Sequence, residues 1–584
     1  MNPLVRRLSQ TVTLFSLLLM GLFISPQSVL AQEGYQTPPP ALAKLADAPA
    51  TPGVSLSPDR TMMLLMEQPS LPSIAELSQP EMRLAGLRIN PRTNGPSRSR
   101  GYTGLTLRSL GGEIERAVTG LPDGELRIRN VRWAPDGRHI AFTLDEQDRI
   151  DLYVAPVADG KARRAMDAMV NAAGYGAAFQ WASDSEAIIV RTVPADRPAP
   201  PAAPDVPSGP IVQENVGKVA PARTYQDLLG NPHDEALFEH YITAQLARVG
   251  LDGSMTPLGE PALMRGARPS PDGRYILVET IERPYSYLVP ASRFPRRIAV
   301  WDRDGNTVAT IAELPLAEEV PTAFGSVPTG VRSVQWRADK PAMLAWVEAL
   351  DGGDARAEAD YRDQVYLLDA PFEAAPTPLV KLRLRYAGMT WGDDDLALAN
   401  ESWWSTRKRR VYRIDPGRPG ADPEVVFDLS SEDRYNDPGY PVTHTTDRGT
   451  RVLTTADGGT AIFLRGGGAS PEGNRPFVRK MDLQSGETEE LFRSEAPAYE
   501  YPVAVLDAAE GKIITRRETV TDTPNYYLRD LEAGTMTALT DFQHPYPELA
   551  EVQKELIHYE RADGVPLTAL YLPAGYDAER DGPL

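Results

Sequence analysis

Short segments in which apolar and polar residues alternate run along most of the chain, from about residue 52 to residue 540. Each segment ends at a cluster of Gly, Pro, Asp or Asn, which is the pattern of half-buried β-strands joined by tight turns. Clear examples are residues 150–154, 297–301, 364–368 and 410–414. The alternation predicts an all-β chain whose sheets each keep one polar face.

A short phrase that begins with Trp133-Ala134-Pro135-Asp136-Gly137 recurs along the chain. Proline presets φ, aspartate bonds its own backbone and glycine accepts positive φ, so the phrase predicts a hairpin turn before the next strand. The leading tryptophan suits a slot between packed sheets. Degraded copies begin at Ser57, Trp181, Pro269 and Trp336. Repeated hairpin units of this kind predict a β-propeller, with seven blades preferred and eight also possible.

Two segments interrupt the strand pattern. Residues 195–210 are dense in proline and alanine and cannot form a central strand. Residues 234–242 begin with acids and continue with apolar residues at helical spacing. We predict an insert over residues 191–248 that carries a short helix and lies between two blades, either over a propeller mouth or as a plain surface excursion.

The first 31 residues have the pattern of a secretory signal peptide. Arg6 and Arg7 precede an apolar run over residues 14–24, which is too short to favour a membrane span. Small residues before Gln32 predict cleavage after Ala31 and export to the periplasm or the medium. An uncleaved N-terminal anchor is the alternative. Residues 32–52, rich in proline and alanine, predict an extended lead-in with little regular structure before a propeller over residues 53–545.

The pattern changes after residue 545. Residues 547–553 predict a short helix, and residues 555–559 and 567–572 predict a hairpin around the turn at residues 561–564. A closed propeller has no need of such an appendage. Residues 546–584 are therefore predicted to be a linker and the first strands of a further domain.

Composition excludes several classes of function. The chain has no cysteine, which excludes disulfides, thiol nucleophiles and thiolate metal sites. Its formal net charge is −19, and loss of the signal's two arginines would bring it to −21. Such a charge opposes nucleic-acid binding. The basic run over residues 407–410 is expected to be the solvated edge of a strand or hairpin.

Few side chains suggest chemistry of their own. The Asp393-Asp394-Asp395 run, and Asp302 with Asp304, occur in turn-like contexts, where aspartate is expected for backbone reasons. Trp403 and Trp404 are expected to pack between blades, although they could offer an aromatic surface at a channel mouth. The histidines are expected to be structural, since none has the spacing of a metal-binding pair: His139, His233, His240, His444, His544 and His558.

Several stretches carry a resemblance to a known family: residues 35–49, 84–105, 213–229, 346–354, 468–474 and 544–584. On these the chain resembles the prolyl oligopeptidase clan of serine peptidases (family S9), and more narrowly its glutamyl endopeptidase branch. The resemblance implies a propeller joined to an α/β-hydrolase domain with a Ser-His-Asp triad, and a peptide or unfolded polypeptide substrate. No cofactor and no metal are predicted.

The chain departs from that family in one respect. No G-x-S-x-G nucleophile motif occurs, and the nearest candidate, residues 466–470, lacks the second glycine. No catalytic residue is predicted here, and the triad is expected beyond Leu584. An enzyme that cuts after glutamate needs a compensating cation, so Arg383, Arg385 or Arg407 could project inward from the propeller. The alternatives are a non-catalytic binding propeller and, more remotely, a propeller glycosidase.

Overall fold

A computed structural model describes residues 38–206, 225–508, 510–546, 553–572, 575 and 577–581 of the chain. The helices in these residues are α1 (Pro40–Asp47), α2 (Ile74–Leu77), α3 (Pro232–Ile242) and α4 (Ala578–Asp581). The strands of the first half are β1 (Ala50–Leu56), β2 (Met62–Gln68), β3 (Met82–Leu84), β4 (Leu87–Asn90), β5 (Gly95–Pro96), β6 (Gly104–Ser109), β7 (Glu115–Ala117), β8 (Ile128–Trp133), β9 (His139–Asp145), β10 (Ile150–Pro156), β11 (Arg163–Arg164), β12 (Phe179–Trp181), β13 (Ala187–Thr192), β14 (Thr243–Gly250), β15 (Met255–Pro269), β16 (Tyr275–Ile281), β17 (Arg296–Asp302) and β18 (Thr307–Leu314).

The second half of the chain continues in the same way. Its strands are β19 (Arg332–Trp336), β20 (Met343–Ala349), β21 (Asp363–Asp369), β22 (Thr377–Leu382), β23 (Arg385–Trp391), β24 (Ala397–Trp403), β25 (Lys408–Ile414), β26 (Glu424–Ser430), β27 (Tyr440–Pro441), β28 (Thr443–Thr445), β29 (Arg451–Leu453), β30 (Thr455–Ala456), β31 (Ala461–Gly466), β32 (Ala469–Ser470), β33 (Gly473–Asn474), β34 (Phe477–Asp482), β35 (Thr488–Arg493), β36 (Tyr499–Asp507), β37 (Lys512–Glu518), β38 (Asn525–Asp530), β39 (Thr535–Ala538), β40 (Gln553–Glu560) and β41 (Pro566–Leu572).

These strands form eight consecutive four-stranded antiparallel sheets, which we call blades 1–8. The long strand β15 joins two of them, because its first half closes blade 3 and its second half is the innermost strand of blade 4. The blades are β1-β2-β6-β7, β8–β11, β12–β15, β15–β18, β19–β22, β23–β26, β27-β31-β34-β35 and β36–β39.

Each blade packs on the next through its own cluster of buried apolar side chains, and the ring closes in the same way. Met63 and Leu65 of blade 1 pack against Ile514 and Leu539, which lie in and beside blade 8. No strand of the described residues is exchanged between these two blades. The prediction of an all-β propeller is therefore confirmed, and the number of blades is eight rather than the preferred seven.

The recurring phrase forms the turn between the first and second strands of a blade, as predicted. The Asp136 carboxylate accepts a hydrogen bond from the Arg138 backbone N–H at 2.9 Å, and Gly137 takes φ of +71°. We call the end of the ring that carries these turns the Asp-Gly face. The connections between second and third strands lie at the opposite end, because successive antiparallel strands reverse direction.

The predicted insert lies at that opposite end, but within blade 3 rather than between two blades. It joins β13 to β14, which pair with each other, and it ends at Ile242, because the following residues form β14. A long hairpin connection is possible because closure entropy rises only slowly with loop length. Helix α3 buries Phe238 against Leu84 from blade 1 and Phe294 from blade 4.

The structure tests three further predictions about local structure. The lead-in is not wholly extended, since α1 forms over Pro40–Asp47 from good helix formers with Pro at its start. Arg407 of the basic run lies in the turn before β25 and the other three residues lie on β25, which pairs on both sides and is not an edge strand. The C-terminal hairpin is confirmed as β40 and β41.

The predicted signal peptide and most of the predicted helix at residues 547–553 lie outside the described residues. Helix α1 belongs to a separate compact unit, residues 1–48, and the blades to the unit of residues 49–584. In the part of the chain that the structure describes, no helix has the length and apolar content needed to cross a membrane.

Candidate functional site

A cavity of about 640 Å³ lies on the axis of the ring at the Asp-Gly face. Its wall is made by the last residues of the innermost strands of blades 1–5 and by a hairpin from blade 7. This volume lies within the usual range of ligand sites in proteins. We call it the axial cavity.

The axial cavity has a sign of charge opposite to that of the chain. Its lining includes Arg132, Arg268, Arg448 and Arg451, and none of the described residues that line it is Asp or Glu. The whole chain has a formal charge of −19. A cavity lined by one sign of charge and apolar walls concentrates ligands of the opposite sign.

Arg132 and Arg268 occupy the same place in the repeat, directly before the first residue of the phrase. The backbone of each is fixed by the tryptophan of the following blade. Trp181 Nε1 donates to the Arg132 carbonyl at 3.2 Å, and Trp336 Nε1 donates to the Arg268 carbonyl at 2.9 Å. The repeat tryptophans thus pack between blades, as predicted, and also fix the inner strands that carry the arginines.

The guanidinium groups of these two arginines lack carboxylate partners. No ion pair joins Arg132 or Arg268 to an acid among the described residues, and Arg268 Nη2 donates to the Val334 carbonyl at 2.6 Å. Burial lowers the pKa of Arg132. Burial also lowers the pKa of Arg268, although the charge of Glu279 opposes that change. A guanidinium stays charged at neutral pH, and both side chains are exposed, so the cavity keeps two positive charges that no carboxylate of the described residues pairs.

A second layer of arginines on the same inner strands behaves differently. Three residues before Arg132, Arg268 and Gln335 the chain again has arginine, and each of these arginines is paired with a carboxylate of its own blade. Buried ions of this kind are tolerated when they are paired. The pairs are Arg129 with Asp145 at 2.6 Å, Arg265 with Glu279 at 3.1 Å, and Arg332, before Gln335, with Asp363.

The hairpin of β28 and β29 lies across the mouth of the axial cavity. We call residues 443–453 the strap. The Thr450 hydroxyl donates to the Ala338 carbonyl of blade 5 at 2.7 Å, and Arg60 of blade 1 donates to the Thr443 carbonyl at 3.5 Å. Gly449 approaches Pro135 of blade 2 so closely that an added Cβ would lie 2.9 Å from its Cγ. The strap therefore narrows access from the Asp-Gly face.

The sequence suggested that Arg383, Arg385 or Arg407 could project inward, but none of the three lines the axial cavity. Arg385 is buried, and its guanidinium donates to Asp351 at 2.7 Å and to Asp363 at 3.0 Å. Burial alone would raise the pKa of Asp351, but the hydrogen bonds from Arg385 and Arg362 outweigh it and lower that pKa. Arg385 is therefore committed to the fold. Exposed Arg383 lies over the Tyr361 ring, 4.8 Å from its centroid.

Arg407 and the two tryptophans lie at the other end of blade 6. The expectation of interblade packing is wrong for Trp404, which is 52% exposed and stacks on Phe324 at 4.8 Å between ring centroids. Its position in a 3₁₀ turn beyond β24 removes it from the strand alternation. Arg407 lies 3.9 Å above the Trp404 ring and pairs with Glu432. Trp403 instead packs under Arg362 at 4.0 Å.

The aspartates noted in the sequence accept backbone hydrogen bonds within turns, as predicted. Asp302 accepts from the Asp304 and Asn306 backbone N–H groups, at 2.9 and 2.8 Å. Asp393 accepts from the backbone N–H groups of Asp395 and Leu396, both at 2.9 Å.

The histidines are dispersed. His139 lies on β9, His233 and His240 on α3, His444 on the strap, His544 after blade 8 and His558 on β40. Burial lowers the pKa of His444, and the nearby charge of Arg60 lowers it further. Burial also lowers the pKa of His139 and His240. The structure brings no two of these rings into contact within the described residues, so they do not form a common site.

Sequence comparison places the chain among known proteins. It is 42% identical over 583 residues to a rice (Oryza sativa subsp. japonica) protein described as probable glutamyl endopeptidase, chloroplastic. The corresponding Arabidopsis thaliana protein is 43% identical over 580 residues. The chain is similar to these probable glutamyl endopeptidases over almost its whole length. This similarity confirms the resemblance that the sequence suggested, although the chain matches no protein-family model.

The match covers nearly all of this chain but a smaller share of each relative. It covers 95% of the chain and 62% of the rice protein, and 94% of the chain and 60% of the Arabidopsis protein. The chain thus spans about three fifths of the length of the curated glutamyl endopeptidases it matches.

The solved structures to which the chain is similar share much less of its sequence. Pyrococcus horikoshii acylaminoacyl peptidase shares 14% identity at a TM-score of 0.37, over 76% of this chain and 57% of that one. The β-propeller domain of the trilobed protease from Pyrococcus furiosus shares 11% identity at a TM-score of 0.35, over 72% of this chain and 99% of that one. Porphyromonas gingivalis dipeptidyl peptidase 4 shares 13% identity at a TM-score of 0.39, over 79% of this chain and 69% of that one.

Proposed function

We propose that this chain provides the propeller of an exported serine peptidase of the S9 glutamyl endopeptidase type. The supporting observation is the identity of over 40% to proteins of that name along almost the whole chain. The name of those relatives suggests cleavage of peptides at glutamate, and peptides or unfolded polypeptides are the substrate class we assign. The hydrolysis would use a serine nucleophile, a histidine base and an oxyanion hole.

The catalytic groups are assigned to residues beyond 584. The chain contains no G-x-S-x-G motif, and Ser470, the nearest candidate, donates to the Gly473 carbonyl at 2.7 Å within a small hairpin. The hairpin of β40 and β41 would then be the first part of the hydrolase sheet. Its presence after the eighth blade argues against the alternative of a purely binding propeller, which would end with its ring.

The proposed role of the propeller is to restrict access to that hydrolase. The strap narrows the axial opening at the Asp-Gly face, and the inserts of blades 1, 3 and 4 pack together at the opposite end. A passage bounded in this way would admit extended peptides and exclude folded proteins. Export fits the predicted signal peptide, and the organelle label of the plant relatives likewise implies a targeting sequence in those proteins.

The test compares two proteins from the same gene. The 584-residue chain and the product of the reading frame continued downstream are purified and incubated with a glutamate-containing peptide. We expect hydrolysis after glutamate by the longer protein only, abolished by a serine-directed inhibitor. Hydrolysis by the 584-residue chain that persists through purification would contradict the proposal, as would a native stop codon after Leu584.

A further inference from the structure

The axial cavity contains arginines that form no ion pair with a carboxylate of the described residues. Two arginine layers lie on the same inner strands, yet only the deeper layer, Arg129, Arg265 and Arg332, has carboxylate partners. In a chain with a surplus of acids, pairing Arg132 and Arg268 would need only a nearby Asp or Glu. Both side chains are exposed to solvent, so folding does not demand a partner for them, and their charge can pair with an anion that a ligand brings.

The remaining lining of the cavity suits a peptide rather than a single ion. Trp133, Trp181 and Trp336 contribute aromatic surface, and prolines from blades 1, 2 and 4 contribute apolar surface. The volume of about 640 Å³ is far larger than the roughly 30 Å³ that a water molecule occupies in the liquid. Apolar walls with a few convergent polar groups are typical of sites for organic ligands.

We propose that the axial cavity binds an acidic peptide segment, with side-chain carboxylates of the peptide paired to Arg132, Arg268, Arg448 and Arg451. This inference rests on the proposed function in taking a peptide as the substrate. It adds that the propeller itself selects acidic segments at the Asp-Gly face.

The strap would take part in this binding, because two of the four arginines belong to it. Arg451 donates two hydrogen bonds to the Thr443 hydroxyl, at 2.7 and 3.1 Å, which hold its guanidinium beside the mouth of the cavity. Arg448 is exposed near the tip of the strap. A peptide in the cavity would therefore contact both the ring and the strap.

Direct binding to the 584-residue chain tests the proposal. The probe is a fluorescently labelled hexapeptide of glutamate, compared with the glutamine hexapeptide, and binding is followed by fluorescence anisotropy at low salt. We expect the glutamate peptide alone to bind. Arg132→Gln should weaken binding about tenfold, the loss expected for one charge-assisted hydrogen bond in a partly solvated site. Added salt should weaken it further.

Three further variants separate the effect of charge on binding from an effect on folding. Arg268→Lys keeps the positive charge and should retain most of the binding that Arg268→Gln loses. Arg163→Gln is the matched control, because Arg163 is an exposed arginine on the outermost strand of blade 2 and lies away from the cavity. Urea unfolding of Arg132→Gln should match that of the unsubstituted chain, since no carboxylate of the fold pairs with that arginine.

Several results would overturn the proposal. These are equal binding of the glutamine peptide, an undiminished affinity in Arg132→Gln, or the same loss in Arg163→Gln. Free glutamate that competes as strongly as the hexapeptide, at equal carboxylate concentration, would indicate a site for single anions instead. Hydrolysis plays no part in this measurement, so a failure of the proposed peptidase activity would leave the binding result unaffected.

Discussion

Replacing Arg385 by glutamine should destabilise the propeller without affecting peptide binding. The Arg385 side chain is 7% exposed, and both carboxylates that it contacts, those of Asp351 and Asp363, are fully buried. It also donates to the Gly325 carbonyl at 2.6 Å and to the Arg362 carbonyl at 3.0 Å. Removing one partner of such a buried network costs about 3–5 kcal/mol. That is a large part of the roughly 5–15 kcal/mol by which proteins are stable.

Equilibrium unfolding in urea at pH 7, followed by circular dichroism, measures this loss as a lower midpoint. Arg383→Gln is the matched control, two residues away in the sequence. Arg383 is exposed and only covers the Tyr361 ring, so its replacement should cost about 1 kcal/mol or less. Unchanged unfolding of Arg385→Gln, together with a loss of affinity for the glutamate hexapeptide, would refute the structural role and restore Arg385 as a substrate-binding residue.

Three further predictions concern the axial cavity and the strap. Trp336→Phe removes the hydrogen bond to the Arg268 carbonyl and should lower the free energy of unfolding by about 1 kcal/mol, with weaker binding of the glutamate peptide. Gly449→Val places Cβ against Pro135 at φ of +75°, so it should cost about 1–3 kcal/mol and speed proteolysis within the strap. The lowered pKa of His444 means that the folded chain favours its neutral form, so stability should fall as pH drops below about 6.5, and less so in His444→Gln.

Each of these three predictions would be contradicted by a specific result. Unfolding of Trp336→Phe at the midpoint of the unsubstituted chain would show that the hydrogen bond from Trp336 to the Arg268 carbonyl is energetically neutral. Proteolysis of Gly449→Val at the rate of the unsubstituted chain would mean that the strap is not seated on blade 2. A steeper pH dependence in His444→Gln than in the unsubstituted chain would reverse the assigned sign.

The sequence predicted the architecture because its turns obey local chemistry. Asp136 and Gly137 act within two residues of each other, so the repeat that they define can be seen without the fold. The eighth blade was less visible because the later copies have lost the proline and no longer keep a glycine directly after the aspartate. Blade 6 has Trp391 followed by Gly392 and Asp393, and we placed its aspartates in a turn without recognising that turn as a copy of the repeat phrase.

The candidate site was largely beyond sequence reasoning. Arg385 looked like a free cation because its partner Asp351 lies 34 residues away in the chain. Arg132 and Arg268 were missed, although a signal existed: both immediately precede the first residue of the repeat phrase, the position that the alternation of a strand turns toward the axis. Only the folded ring shows that these positions converge and that no acid accompanies them.

The most direct test of the account is the steady-state kinetics of the longer protein with Arg132 and Arg268 both replaced by glutamine. If the propeller selects acidic peptides while the chemistry is performed by another domain, KM for a glutamate-rich peptide should rise and kcat should stay unchanged. A fall in kcat with an unchanged KM would contradict the account, because it would assign these arginines to the chemical step rather than to the binding of the peptide.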